Sequence, residues 1–141
     1  MRLLGLDIGQ SRIGVSVSDE DGMIASPLTT LDARVGIDKT VARIGEIVLE
    51  YEVEMIVVGM PLTLQGGDKG QSARMVRRLG DKMASHLEVR VTYWDERFSS
   101  VAAERALIDG GMSRAKRRKL VDKIAATLIL QSYLDSNTGH D

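Results

Sequence analysis

Apolar positions change period along the chain, and the changes mark its elements. Leu3, Leu4, Leu6 and Ile8 make a nearly continuous apolar run, as in a strand covered on both faces. Ile13, Val15 and Val17 alternate with Gly14, Ser16 and Ser18, which predicts a period-two strand. Asp19-Glu20-Asp21-Gly22 reads as a turn, and Ile24 to Leu31 returns as a third strand. Pro27 cannot donate a ladder hydrogen bond, so this strand belongs at a sheet edge. Val41, Ile44, Ile47, Val48 and Tyr51 fall at helical spacing, and Met55 to Val58 is a short buried strand. Gly59 to Ser72 reads as a long loop with four glycines. Val76, Leu79, Met83 and Leu87 share a second helical face, and Val89, Val91 and Tyr93 mark a fifth strand. Ser99 or Ser100 can cap a third helix that stops at Gly110-Gly111. Ser113 can cap a last helix that runs to about Leu134.

The order βββαβαβα, closed by one more helix, predicts an α/β fold. Its sheet is mixed and five-stranded, with helices on both faces. Right-handed crossovers put the fourth strand beside the first and the fifth beyond it. Functional groups are then expected at the carboxyl ends of the parallel strands. With 141 residues and no internal repeat or linker, residues 1–141 read as one domain.

Composition narrows the chemistry. Net charge is −1, so any nucleic-acid surface must be a local basic patch. The absence of cysteine removes disulfides, thiol nucleophiles and cysteine-ligated zinc, and fits a reducing compartment. No apolar run approaches the ~18 residues of a membrane span, and no charged-then-apolar leader opens the chain. The expectation is a cytoplasmic protein with no membrane partner.

Asp7 ends an apolar strand and is followed by glycines at 9 and 14. A charge there needs a partner or a metal, or else it caps a tight turn. Asp95 and Glu96 end the fifth strand. Asp122 lies near the start of the last helix, which carries no charge from Ile124 to Leu134, and it shares a face with Ala126, Ile129 and Tyr133. It is a helix-start carboxylate favoured by the dipole, or a site residue. Carboxylates that converge at one sheet end need cations to stay ionised together. With only His86 and His140 available, an all-oxygen ligand set suits Mg²⁺ or Mn²⁺. Two such ions can activate water and stabilise the leaving oxygen of a phosphodiester.

Other features suit a phosphate-rich substrate. Gly66, Gly67, Lys69 and Gly70 form a loop that can cradle phosphate, or a plain surface loop. Arg114, Lys116, Arg117, Arg118 and Lys119 put five basic residues just before Asp122. They can track a nucleic-acid backbone, or form a solvated helix face. Arg12 and Arg97 each adjoin a carboxylate motif, to bind substrate phosphate or to pair with a carboxylate. Tyr93 and Trp94 can stack on bases, although core packing is the simpler role for Tyr93.

Four ordered motifs together resemble one family over nearly the whole chain. They are GLDIGQSRIGVSVSD (5–19), VVGMPLTLQGGDKGQSA (57–73), WDERFSS (94–100) and KLVDKIAATLILQSYLD (119–135). The set is similar to the YqgF/RuvX family, bacterial ribonuclease H-like proteins described as Holliday-junction-resolvase-like. That resemblance implies a ribonuclease H-like fold and a metal-dependent nuclease site. It also implies a role in maturing the 5′ end of precursor 16S ribosomal RNA, with the ribosomal particle as a candidate partner. By motif position, Asp7, Glu96 and Asp122 become the catalytic, metal-binding carboxylates, with Asp95 as a helper ligand. Ser11 stands where the family commonly has lysine, and Phe98-Ser99-Ser100 stands where Leu-Thr-Thr is common. Two strand spacings separate strands one and five, so Asp7 and Glu96 start about 10 Å apart; they must lean together, or the site assembles only with metal and substrate.

Three function classes compete. The first is a Mg²⁺-dependent nuclease on structured RNA or, within the same class, on branched four-way DNA; a homodimer favours the junction, and a monomer is equally open. The second is an ATP-dependent phosphotransferase, which shares the strand–DxGxxxxG–strand look of Asp7 to Gly14 but needs a second copy of the fold. The third is a non-catalytic nucleic-acid-binding ribosome-assembly module.

Overall fold

Alternation along the strands decides which side chains meet which helix, and the computed structural model shows the result for residues 1–61, 70–96 and 114–138. The strands are β1 (Arg2–Ile8), β2 (Arg12–Ser18), β3 (Ala25–Asp32), β4 (Val53–Met60) and β5 (Arg90–Asp95). The helices are α1 (Ile37–Glu50), α2 (Gln71–His86) and α3 (Arg114–Thr138), with a 3₁₀ turn at Ala33–Val35. The sheet order is β3-β2-β1-β4-β5. The first three strands form an antiparallel meander, and β4 and β5 run parallel to β1. The expected crossover order therefore holds. Pro27 lies on the edge strand, and the ladder slips between Val15 and Ser16, bringing Pro27 opposite Ser16.

Several element boundaries differ from expectation. Gly59 and Met60 belong to β4, paired with Trp94 and Asp95, rather than to a loop. Residues Gln71 and Ser72 already belong to α2, and α3 continues to Thr138. Gly59 looked like loop punctuation, yet its missing side chain serves packing inside a strand. The helix expected after Ser99 or Ser100 lies outside the described residues.

The two sheet faces are built differently. Leu4, Leu6, Ile13, Val15, Ile56 and Val58 bury against Val41, Ile44 and Ile47 of α1 and Val76, Leu79 and Met83 of α2. The opposite face packs Leu3, Met55 and Val57 against Ala125, Ile129, Leu130 and Leu134 of α3. There the sheet also presents Gly5, Gly14 and Gly59. A Cβ at Gly5 would stand 2.7 Å from the Leu130 Cβ, and one at Gly59 would strike the Ile129 side chain. One at Gly14 would strike the Asp122 carbonyl. Glycine at these points lets the helix approach closely.

Polar ties complete that contact. The buried Ser16 hydroxyl donates to the Ala126 carbonyl at 2.8 Å, and the Thr30 hydroxyl donates to the Lys119 carbonyl at 3.0 Å. Gln131 accepts from the Ala25 N–H at 2.9 Å and donates to the Met23 carbonyl at 3.0 Å. Trp94 Nε1 donates to Ser132 Oγ at 3.0 Å. Among the described residues no buried side-chain polar atom lacks a partner, and no helix is long and apolar enough to cross a membrane.

Candidate active site

Strand parity places the carboxylates. On β1, Leu3 packs against α3, so Gly5 and Asp7 share its face. On β5, Trp94 packs on the α3 side, and Glu96, just past the strand's end, lines the same cleft as Asp7. Asp95 takes the opposite parity, level with Met60, whose side chain belongs to the α1–α2 core. Asp7 stands directly opposite Gly14 in the β1–β2 ladder. The backbone of Asp122 fills the space a Gly14 side chain would need. Gly14 thus delivers a helix carboxylate to the strand carboxylate facing it.

The result is one open cleft of about 390 Å³ at the carboxyl ends of β1, β4 and β5. Asp7, Glu96 and Asp122 all line it, with Arg12, Pro61 and Ser72 around them. Arg12 lies on β2 with the parity of Gly14, and its Nε donates to Asp122 Oδ2 at 2.7 Å. The Asp122 side chain is only 15% exposed, so the guanidinium supplies the charge that burial there requires. Of the two roles open to Arg12, the structure shows the carboxylate pair.

The donor set is all oxygen and suits a hard cation. Among the described residues no three acidic or histidine side chains are grouped closely enough to hold an ion. The site fits Mg²⁺ or Mn²⁺ in donor chemistry, and Asp7, Glu96 and Asp122 are the residues that would hold it. Asp95 is not among the residues lining this cleft.

The remaining candidates separate. Lys119 is exposed at the end of the basic run, and its carbonyl holds β3 through Thr30. Arg114, Lys116, Arg117 and Arg118 lie in the first turns of α3, at the end nearer Asp122. Gly70 precedes α2 with φ +59° and is exposed, and a Cβ there would meet no described residue within 4 Å. Gly66, Gly67, Lys69 and Arg97 lie outside the described residues. Tyr93 packs in the core, with Arg77 5.3 Å above its ring. Burial pushes the Tyr93 phenol up from its ordinary value. Trp94 stacks edge-on to Tyr133 at 5.5 Å and ties to Ser132, so it braces α3.

Sequence reasoning missed Pro61, Ser72 and the positioning role of Gly14. Pro61 shares the parity of Val57 and Gly59, a signal hidden once Gly59 was read as loop. Ser72 carries no local signal, because only the tertiary fold brings the start of α2 to this end of the sheet.

The family model for RuvX, described as Holliday junction resolvase, matches residues 1–136. The chain belongs to the RuvX family. A RuvX-family relative from Caldanaerobacter subterraneus subsp. tengcongensis, named "Putative pre-16S rRNA nuclease", is 47% identical over 137 residues, covering 96% of this chain and 97% of the relative. A relative of the same name from Clostridium perfringens strain SM101 is 48% identical over 135 residues, covering 96% and 97%. Thermus thermophilus RuvC, solved in complex with a Holliday junction substrate, matches with a TM-score of 0.62 at 17% identity. That match covers 99% of this chain and 97% of RuvC. The likeness to RuvC is one of fold, and the RuvX chain has the ribonuclease H-like architecture that its motifs implied.

Proposed function

We propose that this RuvX-family protein is a divalent-cation-dependent nuclease that hydrolyses phosphodiester bonds at the 5′ end of precursor 16S rRNA. The observation that carries the reading is the convergence of Asp7, Glu96 and Asp122 on one cleft, beside the guanidinium of Arg12. Three carboxylates are a poor surface for a polyanion unless cations stand between them. When bound, Mg²⁺ or Mn²⁺ supplies Lewis-acid charge for water activation and for the leaving oxygen.

The chain's own residues do the rest. Asp7 and Glu96 approach from the sheet, and Asp122 approaches from the helix that Gly14 admits. Arg12 neutralises Asp122 and stands at the cleft wall, where a substrate phosphate would compete for its donors. Arg114, Lys116, Arg117, Arg118 and Lys119 belong to the basic run that opens α3, and they are assigned to hold the RNA backbone. Arg97, Lys69, Gly66, Gly67 and Gly70 are assigned to the same substrate path, and Asp95 to a supporting role. The names of the curated relatives favour precursor 16S rRNA over branched DNA. The expected setting is the cytoplasm, with the ribosomal particle presenting the RNA to a monomer or homodimer.

The test is Mg²⁺-dependent cleavage of 5′-extended 16S precursor, free and in the ribosomal particle, beside a four-way DNA junction. Wild-type protein should cut the RNA, and Asp7→Asn and Glu96→Gln should each abolish cutting while remaining folded. Cleavage that persists in both variants overturns the reading. Cleavage of the junction alone moves the substrate to branched DNA.

A further inference from the structure

A second cleft, of about 500 Å³, lies on the other side of the Gly9–Gln10 turn, between β1, β2, α1 and α2. Its size is that of an ordinary small-molecule site. Ile13, Ala33 and Met75 contribute an apolar lining, and Gln10, Arg74 and Arg78 contribute polar donors. Arg74 and Arg78 stand one turn apart on α2, so their like charges repel. Both are exposed, and among the described residues neither is in an ion pair. The acids nearby do not neutralise them: Asp38 is paired with Lys82 at 3.2 Å, and Asp81 makes no ion pair with a described residue. Helix α2 carries four basic residues to one acid. A cleft with two guanidiniums that pair with no described acid, set over an apolar lining, suits a ligand that is anionic at one end and flat and apolar at the other.

The two clefts share Ile8, Gly9 and Gln10. Gly9 closes the turn between them: its N–H donates to the Arg12 carbonyl at 2.9 Å, and a Cβ there would lie 2.9 Å from the same oxygen. A strand held at the carboxylates would need only to cross this shared turn to reach the second cleft.

We propose that the cleft beside Arg74 and Arg78 binds one unpaired nucleotide of the substrate strand, its base against Ala33 and Met75 and its phosphate on the two guanidiniums. The inference rests on the nuclease reading for its occupant. Duplex phosphates alone would need the arginines but not the apolar lining, whereas an unstacked base needs both. The enzyme would then require a single-stranded residue next to the cleaved bond.

The test is binding, read without cleavage. A short fluorescein-labelled single-stranded oligoribonucleotide and a blunt duplex of the same sequence are titrated by anisotropy in EDTA. The Arg74→Gln/Arg78→Gln double variant should lose about tenfold in single-strand affinity and flatten the salt dependence by about 1.4 in log–log slope, two contacts' worth. Ala33→Trp, which fills the cleft and leaves its charge, should weaken single-strand binding to a similar degree and leave duplex binding unchanged. Unfolding curves for each variant verify the fold. Wild-type affinity in both variants overturns the proposal, as does an equal loss for duplex. So does a mononucleotide that saturates the site and is not displaced by the oligonucleotide. Because no cleavage is read, a failed nuclease assay leaves this result standing, and a failed binding assay leaves the nuclease reading standing.

Discussion

The two faces of the sheet use the same strands for different ends. Toward α1 and α2 the strands present large aliphatic residues, among them Leu6, Ile13, Ile56 and Val58. Toward α3 they present Gly5, Gly14, Gly59, Ser16 and Ser18 beside a smaller apolar set. The first face gains stability by removing apolar area from water. The second gives up side-chain volume so that a helix backbone can lie close and carry Asp122 to Asp7. Polar ties then replace some of the missing bulk, with Ser16, Gln131 and Trp94 each anchoring α3. Stability and site assembly are therefore separable by face, and substitutions can show whether they are.

The largest stability effect is expected on the aliphatic face. Ile56→Ala leaves a cavity in a fully buried position and should cost about 2–5 kcal/mol in denaturant unfolding. Cleavage per folded molecule should stay near wild type, and a proportionate loss of cleavage would break the separation. Gly14→Ala is the converse. It forces the Asp122 backbone away, should cost about 1–3 kcal/mol, and should abolish cleavage even where the protein remains folded. Full cleavage in a folded Gly14→Ala protein would show that close approach of α3 is dispensable.

Smaller effects sharpen the picture of the cleft. Arg12→Gln removes the partner of a partly buried carboxylate and should cost about 1 kcal/mol in metal-free buffer. Thermal unfolding with added Mg²⁺ should recover more stability in this variant than in wild type, because cation and guanidinium share Asp122. Equal recovery would mean that they do not compete. The smallest effect belongs to neither face. The N–H groups of Met23 and Ile24 donate to Asp19 and hold its carboxyl below the ordinary carboxylate value. A depressed folded pKa contributes stability above the unfolded value, and the contribution is lost as pH falls through the folded one. Melting temperatures of wild type and Asp19→Asn should therefore differ slightly at neutral pH and converge in acid. A gap that widens on acidification would contradict the assigned cause.

Much of this was legible in the chain alone. The period-two run from Ile13 to Val17, the edge proline at 27 and the helical spacing of Val41 to Val48 each rest on local geometry, which a sequence states directly. Crossover handedness then put β4 beside β1 and β5 beyond it. The identity of Asp7, Glu96 and Asp122 as candidates was legible too, because charge beside apolar runs is locally conspicuous. Their assembly was not. It depends on strand parity across β1 and β5, on the Asp7–Gly14 pairing and on the depth to which α3 settles. Those are distances between segments far apart in the chain. The same reason hid Pro61 and Ser72 and made Gly59 look like loop. It also left two readings of Arg12 open until the fold put Asp122 at 2.7 Å. Local pattern determines which residues can form an element or carry a charge. Only packing in three dimensions decides which of them meet.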